Sequence, residues 1–292
     1  MIVRQSRRDF LRYSGLGATG ALLHSVSLGG EPLKPLNVRR VVVDAGVGRT
    51  VSVLHVSDSH LARIDSRESE DLYAFAKSRS RIDREFGEYY LDEAVHYARD
   101  KKIKIIHTGD FVDFRSEANL EYAERRFCTD NFLACVGNHE YWMDAVHRET
   151  EKYKEQTIPR LKEIWSGIPA STHCVNGINF FVFDNSFGVV TQEIYAEFER
   201  AAGDRLPIVM VCHVPLWAEG CGMEHAVCGM PGRKKDDEVS CAFVERAWKE
   251  PLVKAVLAGH VHAFRKFAFS PTATEFVAGA LFNGDSVRID IV

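Results

Sequence analysis

At 292 residues, 46% of them hydrophobic and 27% charged, the chain can bury one sizeable core or at most two small ones. A formal net charge of -4 excludes a nucleic-acid footprint built on bulk positive charge. No internal repeat or low-complexity tract points to a solenoid or a tail.

Residues 4–12 carry the pair Arg7–Arg8 followed by Phe10 and Leu11, and an acid-free stretch rich in Gly, Ala and Ser runs from Tyr13 to Gly30. That stretch is too short and too Gly-rich for a stable membrane span. A basic segment followed by a modest apolar one is the layout of a secretory signal. The Ser-Arg-Arg-x-Phe-Leu run resembles the twin-arginine signal, which exports proteins already folded. The expectation is a signal over residues 1–30, a single domain over 31–292, and a periplasmic or extracellular location. Residues 1–30 hold four Arg and one Asp, so the remainder is more acidic than the whole.

Short apolar runs then recur, each ending abruptly in polar residues, as buried strands do. Residues 40–43 suggest a strand that turns through Gly46–Gly48 to pair with Val51–Val56, which runs into Ser-Asp-Ser-His. Helical spacing follows from about Arg67 to Arg99, with Leu72, Phe75, Phe86, Tyr90, Ala94 and Ala98 on one face. Ile103–Ile106 leads into His-Thr-Gly-Asp, and Ser116 is a good N-cap for a helix to Phe127. Phe132–Val136 leads into Gly-Asn-His-Glu, with a further helix over Asp144–Trp165. Ile178–Phe183 closes on Asp184–Asn185, and a helix over Gln192–Ala202 follows. Ile208–Val211 leads into Cys-His-Val-Pro, and Ala255–Ala258 into Gly-His-Val-His. Between them, Trp217–Ser240 reads as a long loop, with specificity determination and a plain surface excursion both open. Strands alternating with helices define an α/β protein, in which functional groups gather beyond the carboxyl ends of strands.

Seven cysteines, at 128, 135, 174, 212, 221, 228 and 241, form no Cys-x-x-Cys, which excludes a zinc ribbon or a thioredoxin-like site. Cys135 and Cys212 lie inside apolar runs and read as small core residues. Pairing among Cys221, Cys228 and Cys241 stays open.

The strand-end polar residues include Asp58, His60, Asp110, Asn138, His213, His260 and His262. Imidazole with oxygen donors suits Zn, Fe or Mn, and seven ligands exceed the need of one ion. Two ions sharing a carboxylate is the economical arrangement. Alternate residues on a strand point the same way, so Asp58 with His60, and His260 with His262, can each converge on one site. Any one of these pieces is ordinary turn or capping chemistry; five in order, each at a strand end, are not.

The ordered set Asp58-Ser-His60, Gly109-Asp110-Phe-Val-Asp113, Gly137-Asn138-His139-Glu140, Cys212-His213 and Gly259-His260-Val-His262 resembles the calcineurin-like metallophosphoesterase superfamily over residues about 50 to 265. The resemblance implies a four-layer αββα sandwich, two packed mixed β-sheets flanked by helices, with metals at one edge. It implies one ion on Asp58, His60, Asp110 and His262, and another on Asp110, Asn138, His213 and His260. His139 would not be a ligand but would protonate the leaving oxygen, so Asp110 and His139 are the expected catalytic residues. The implied activity is hydrolysis of a small phosphate monoester or diester by a hydroxide held at a dinuclear centre of Mn, Fe or Zn. A nucleotide, phospholipid or polyphosphate hydrolase, or a non-catalytic metal-binding scaffold, are the alternatives. Purple acid phosphatases have Gly where His60 stands and Tyr where Asp113 stands, so an iron–tyrosinate site is not expected. The acidic body speaks against a dedicated nucleic-acid partner. Asp113 and Glu140 are candidates to orient ligands, His55 and His107 are expected to pack within the sheet, and His225 in the long loop is open.

Overall fold

Alternation within the strands decides the layering. The computed structural model describes residues 34–79, 86–142, 151–216, 228 and 237–292. The signal expected over residues 1–30, His225 and most of the long loop lie outside the described residues, as does Cys221. Strands β1 (Asn37–Val43), β2 (Val51–Val56), β3 (Lys104–Thr108), β4 (Phe132–Cys135) and β11 (Asp285–Ile291) form one sheet in the order β1-β11-β2-β3-β4. Strands β5 (Ala170–Val175), β6 (Ile178–Phe183), β7 (Ile208–Val211), β8 (Val253–Ala258), β9 (Arg265–Ala268) and β10 (Thr274–Val277) form a second, in the order β5-β6-β7-β8-β10-β9. Both mix parallel and antiparallel pairs.

Val51, Val53, Ile106, Ile289 and Ile291 of the first sheet meet Ile178, Phe180, Val182, Val209 and Leu257 of the second in the buried layer between them. The opposite parity, Leu54, Val56, Ile105 and Ala134, packs on helices α2 (Gly87–Lys101) and α3 (Glu117–Thr129). In the second sheet Phe181, Phe183, Met210 and Val256 pack outward on α5 (Gln192–Gly203) and α6 (Glu238–Lys249). Period-2 burial on both faces of each sheet thus yields a four-layer αββα sandwich. The parity slips once: the β7–β8 register shifts at Ile208/Val209, which puts Val253 on the same side as Val256. Residues Leu36–Val292 form one compact unit. Among the described residues, no helix is long and apolar enough to cross a membrane.

Four expectations are corrected. Residues 40–43 do lie in a strand, but its partner is β11, which inserts between β1 and β2 and pairs with both. The reason is that the C-terminal run alternates Val287, Ile289 and Ile291 into the inter-sheet layer, which only a central strand can bury. The helical segment after Arg67 is two helices, α1 (Glu70–Arg79) and α2, serving different clusters: Leu72 and Phe75 pack with Phe114 and Trp142, whereas Tyr90 and Ala94 pack on the first sheet. The helix expected over Asp144–Trp165 is α4 (Glu151–Lys162) within the described residues. The long loop ends before Ser240, because the Asp237 side chain accepts from Ser240 N and starts α6. Ser116 caps α3 as expected, its Oγ accepting from Asn119 N at 3.1 Å. Cys135 and Cys212 are buried thiols, as their apolar runs lead one to expect.

α4 is tied to the second sheet by a buried acid. Asp184, beyond β6, accepts from Tyr141 Oη at 2.7 Å and pairs with Lys154 Nζ of α4 at 2.9 Å. Burial alone would raise its pKa, but Lys154 and the Ser186 and Tyr141 hydrogen bonds outweigh it and hold the carboxyl below its usual range. A depressed folded-state pKa contributes stability above the unfolded value of about 4 and loses it as pH falls further. Urea unfolding across pH should show parent stability dropping below about pH 4, with a shallower drop in Asp184→Asn. An unchanged acid slope in that variant would exclude the tie.

Candidate metal centre

The seven singled-out residues meet at one edge of the sandwich, where β2, β3, β4, β7 and β8 end. Asp58, His60, Asp110 and His213 are at most 1% exposed. Convergence does not come from strand alternation, as the sequence spacing suggests. Asp58, His60, Asp110, His260 and His262 all have left-handed backbones, with φ of 57°, 47°, 53°, 73° and 55°. Each such non-Gly residue costs about 1–2 kcal/mol, so five together need outside support.

Glycine supplies part of that support by permitting close approach. A Cβ on Gly137 would overlap Asp110 Oδ1, and one on Gly259 would overlap Ser57 Oγ. Gly109 has φ +85°, and a Cβ there would sit 2.7 Å from His213 Nδ1. Glu140 supplies more: its carboxylate accepts from Asp110 N (3.0 Å), Val112 N (3.1 Å) and Gly137 N. It therefore clamps two loop backbones rather than orienting a ligand ring, which revises its expected role. Burial, then the nearby Asp110 charge, push its carboxyl up to about 7 against those amides.

The two carboxylates share a design. Asp58 Oδ2 accepts from His260 N at 3.1 Å, and Asp110 Oδ1 accepts from His139 N at 2.9 Å. Each thereby keeps its other oxygen turned inward. Asp58 Oδ1 lies 3.2 Å from His262 Nε2 and 3.6 Å from His60 Nε2. Asp110 Oδ2 lies 3.2 Å from His213 Nε2 and 3.7 Å from His60 Nε2. His213 Nε2 is 3.2 Å from both Asn138 Oδ1 and His260 Nδ1.

The remaining imidazole nitrogens point away from the centre. His60 Nδ1 meets Asp113 Oδ1 at 2.9 Å and His213 Nδ1 meets Thr108 O at 2.7 Å, each placing Nε2 inward, the arrangement that fixes metal-binding tautomers. His139 Nδ1 meets Asp113 O at 2.9 Å, and its ring lies against Trp142, tilted by 32° with centroids 3.5 Å apart. His139 Nε2 is then 3.9 Å from Asp110 Oδ2. Asp113 is held in turn by both Nε and Nη2 of Arg79, each at 2.8 Å.

The site's electrostatics follow from its buried acids. Burial would lower the pKa of His60, but hydrogen bonds to Asp113 and contact with Asp58 overcome it and raise the ring to about 9. His213 is driven to about 10 in the same way, against burial, chiefly by Asp110. Burial opposes ionisation of Asp110, yet the charges of His213 and His139 hold it well below the usual range. His55 and His107 behave oppositely: burial drops both to about 3, so they are neutral, bonded to Thr108 Oγ1 and Ser59 Oγ within the first sheet.

Metal ions fit this donor set. Asp58, His60, Asp110 and His262 offer ligand atoms within 4.8 Å of one another, and so do Asp110, His213 and His260, with Asp110 common to both groups. Asp58 Oδ1 is buried without a hydrogen bond of good geometry, an oxygen with nothing but the centre to satisfy it.

Residues 51–264 match the family described as calcineurin-like phosphoesterase, and the chain belongs to that family. It is a family of phosphoester hydrolases that normally bind a dinuclear metal centre. Among solved structures, a dimetal phosphatase from Danio rerio is similar in fold, with a TM-score of 0.52 at 12% identity, over 80% of this chain and 88% of that one. A 5'-nucleotidase from Candida albicans aligns with a TM-score of 0.43 at 13% identity, over 85% of this chain and 48% of its own. No curated protein sequence matches the chain.

Sequence reasoning left Asn185 without a role. Its Oδ1 accepts from His213 N and Val214 N, both at 3.0 Å, and its Nδ2 donates to Val214 O at 2.7 Å. Asn185 thus fixes the backbone that carries His213. The available signal was a buried amide ending a strand, which needs polar partners. Asn185→Ala leaves these buried groups unmatched and should cost at least about 2 kcal/mol in denaturant unfolding. A smaller loss would show that the His213 turn holds itself.

Proposed function

We propose that the chain hydrolyses a small phosphate ester at a dinuclear metal centre. One ion would be held by Asp58, His60, Asp110 and His262, the other by Asp110, Asn138, His213 and His260. The carrying observation is the Asp110 carboxylate, common to both donor groups: Oδ1 is fixed by a backbone amide while Oδ2 lies 3.2 Å from His213 Nε2 of one group and 3.7 Å from His60 Nε2 of the other. When bound, a Mn, Fe or Zn pair would draw the phosphoryl oxygens and acidify a water.

The chain's own residues do the rest. Buried Asp58, His60, Asp110 and His213 form the floor, and the partly exposed His260 and His262 mark the side open to solvent. His139 holds a proton-transfer position. With Nδ1–H donating to Asp113 O, Nε2 faces the centre. Burial lowers the ring's pKa, so delivery of a proton from Nε2 to the departing ester oxygen requires that the ring first take up a proton there, as the imidazolium. Contact with the tilted Trp142 ring limits how far the imidazole can turn. The net negative charge of the chain favours a small ester over a nucleic acid.

Chelated protein reloaded with Mn, Zn or Fe should hydrolyse nitrophenyl monoester or diester, and the preferred ester assigns the branch. Asp110→Asn should lose both ions and on the order of a hundredfold or more in turnover. Equal metal content in variant and parent would refute the bridge, and no metal uptake by the parent would refute the reading.

The Arg7–Arg8 run supports a second element, export of the folded domain over residues 31–292 through signal residues 1–30. Arg7→Lys with Arg8→Lys should trap the protein in the cytoplasm of a bacterial host. Fractionation that finds the variant exported as well as the parent excludes a twin-arginine route.

A further inference from the structure

Arg79 lies on α1, outside every motif the sequence displays, yet its side chain bridges α1 to the centre. Its Nε donates to Asp113 Oδ2 and its Nη2 to Asp113 Oδ1, both at 2.8 Å. This two-point fork is the geometry a guanidinium provides and an ammonium does not. The Asp113 side chain is fully buried, and the Arg79 side chain is 17% exposed. The same Asp113 Oδ1 receives His60 Nδ1 at 2.9 Å and lies 3.2 Å from His139 Nδ1. Behind the fork, Leu72, Phe75 and Ala76 of α1 pack on Phe114 and Trp142. The guanidinium lies 5.3 Å from the Trp142 ring centroid, and that ring in turn lies against His139.

We infer that Arg79 is a positioning residue: by gripping Asp113 at both oxygens it fixes the rotation of that carboxylate, and so the His60 ring that presents Nε2 to the centre. A carboxylate held at one point can turn about its Cβ–Cγ bond and take its imidazole partner with it. Held at two, it cannot turn without breaking a charge-assisted pair. Arg79 also contributes a permanent positive charge beside this buried carboxylate. The consequence for turnover rests on the phosphoesterase reading; the consequence for the His60 ring does not.

The full chain, as parent, Arg79→Lys and Arg79→Ala, is compared in three measurements. The first is the low-field proton–nitrogen resonance of the His60 Nδ1–H, in chelated and zinc-reloaded protein. It should be sharp in the parent, broadened in Arg79→Lys and lost in Arg79→Ala. The second is zinc affinity. The ion assigned to Asp58, His60, Asp110 and His262 should bind about ten-fold or more weakly in Arg79→Ala, with the other ion unchanged. The third is kinetic: kcat should fall while KM stays near the parent value, with Arg79→Lys between. Arg79→Lys keeps the charge and carries the test if Arg79→Ala does not fold. An unchanged His60 resonance in a folded variant overturns the inference. So does a rise in KM with zinc affinity intact, which would make Arg79 a substrate contact. A parent that takes up no zinc overturns the phosphoesterase reading alone, and the His60 resonance then still decides the role of Arg79.

Discussion

The arrangement depends on a concentration of buried negative charge at the seam of the sandwich. Asp58, Asp110 and Asp113 have side chains that are almost entirely inaccessible, and a lone carboxylate in such a place is costly enough to protonate or to unfold its surroundings. All three are instead held ionised. Asp113 is answered by a permanent cation, Arg79. Asp58 and Asp110 are answered by imidazoles, among them His60 and His213, whose affinity for protons is raised against the opposing effect of burial. A cluster that binds protons this avidly is built to bind cations, and cation binding displaces protons from the same nitrogens. The distinction between Asp113, matched by arginine, and the other two, matched by titratable rings, separates scaffold from centre.

Holding those carboxylates in place requires backbone that a strand cannot provide. Beyond β2, β3 and β8 the chain turns at once through left-handed residues, aiming their side chains back across the sheet edge. Asp58 N, His60 N and Leu61 N donate to Gly109 O, Asp110 O and Phe111 O, each at 3.0 Å, so the loops beyond β2 and β3 continue to pair after the strands have ended. Glu140 and Asn185 secure the other turns through backbone amides. The strain is therefore distributed over a hydrogen-bonded lattice, and the side chains arrive with their rotations already fixed, as a preorganised site demands.

These two layers of organisation differ in how far the sequence displays them. The apolar runs Val51–Val56, Ile178–Phe183 and Ile208–Val211 coincide with strands because burial on both faces leaves a continuous apolar signature. The site residues were legible because metal-binding chemistry restricts residue type so severely. β5 was not, although Asn176–Gly177, with φ of 50° and 82°, forms the hairpin turn to β6 and was a local signal for it. β9, β10 and α6 went unmarked as well, and β11 could not be placed, since its alternation does not say which strand it will part. Asn185 and Arg79 escaped for a different reason. Their roles are set by what lies opposite them in space, and an arginine at the end of an amphipathic helix looks solvent-facing until the packing of Leu72 and Phe75 turns it inward.

The donors come from both sheets, and that makes the centre a structural joint. The first sheet contributes Asp58, His60, Asp110 and Asn138, the second His213, His260 and His262. His213 Nδ1 reaches Thr108 O, His260 N reaches Asp58 Oδ2, and Leu281 N reaches Ser57 O at 2.8 Å, all across the seam. These contacts form only when the apolar faces of the two sheets are already in register, because one residue of slippage would turn every inward side chain outward. Assembly of the site thus reports correct assembly of the sandwich. A ligand bound by donors from both halves must in turn stabilise their association, in proportion to its concentration over its dissociation constant. The side chains that make the chemistry possible are among those that hold the two sheets together at this edge.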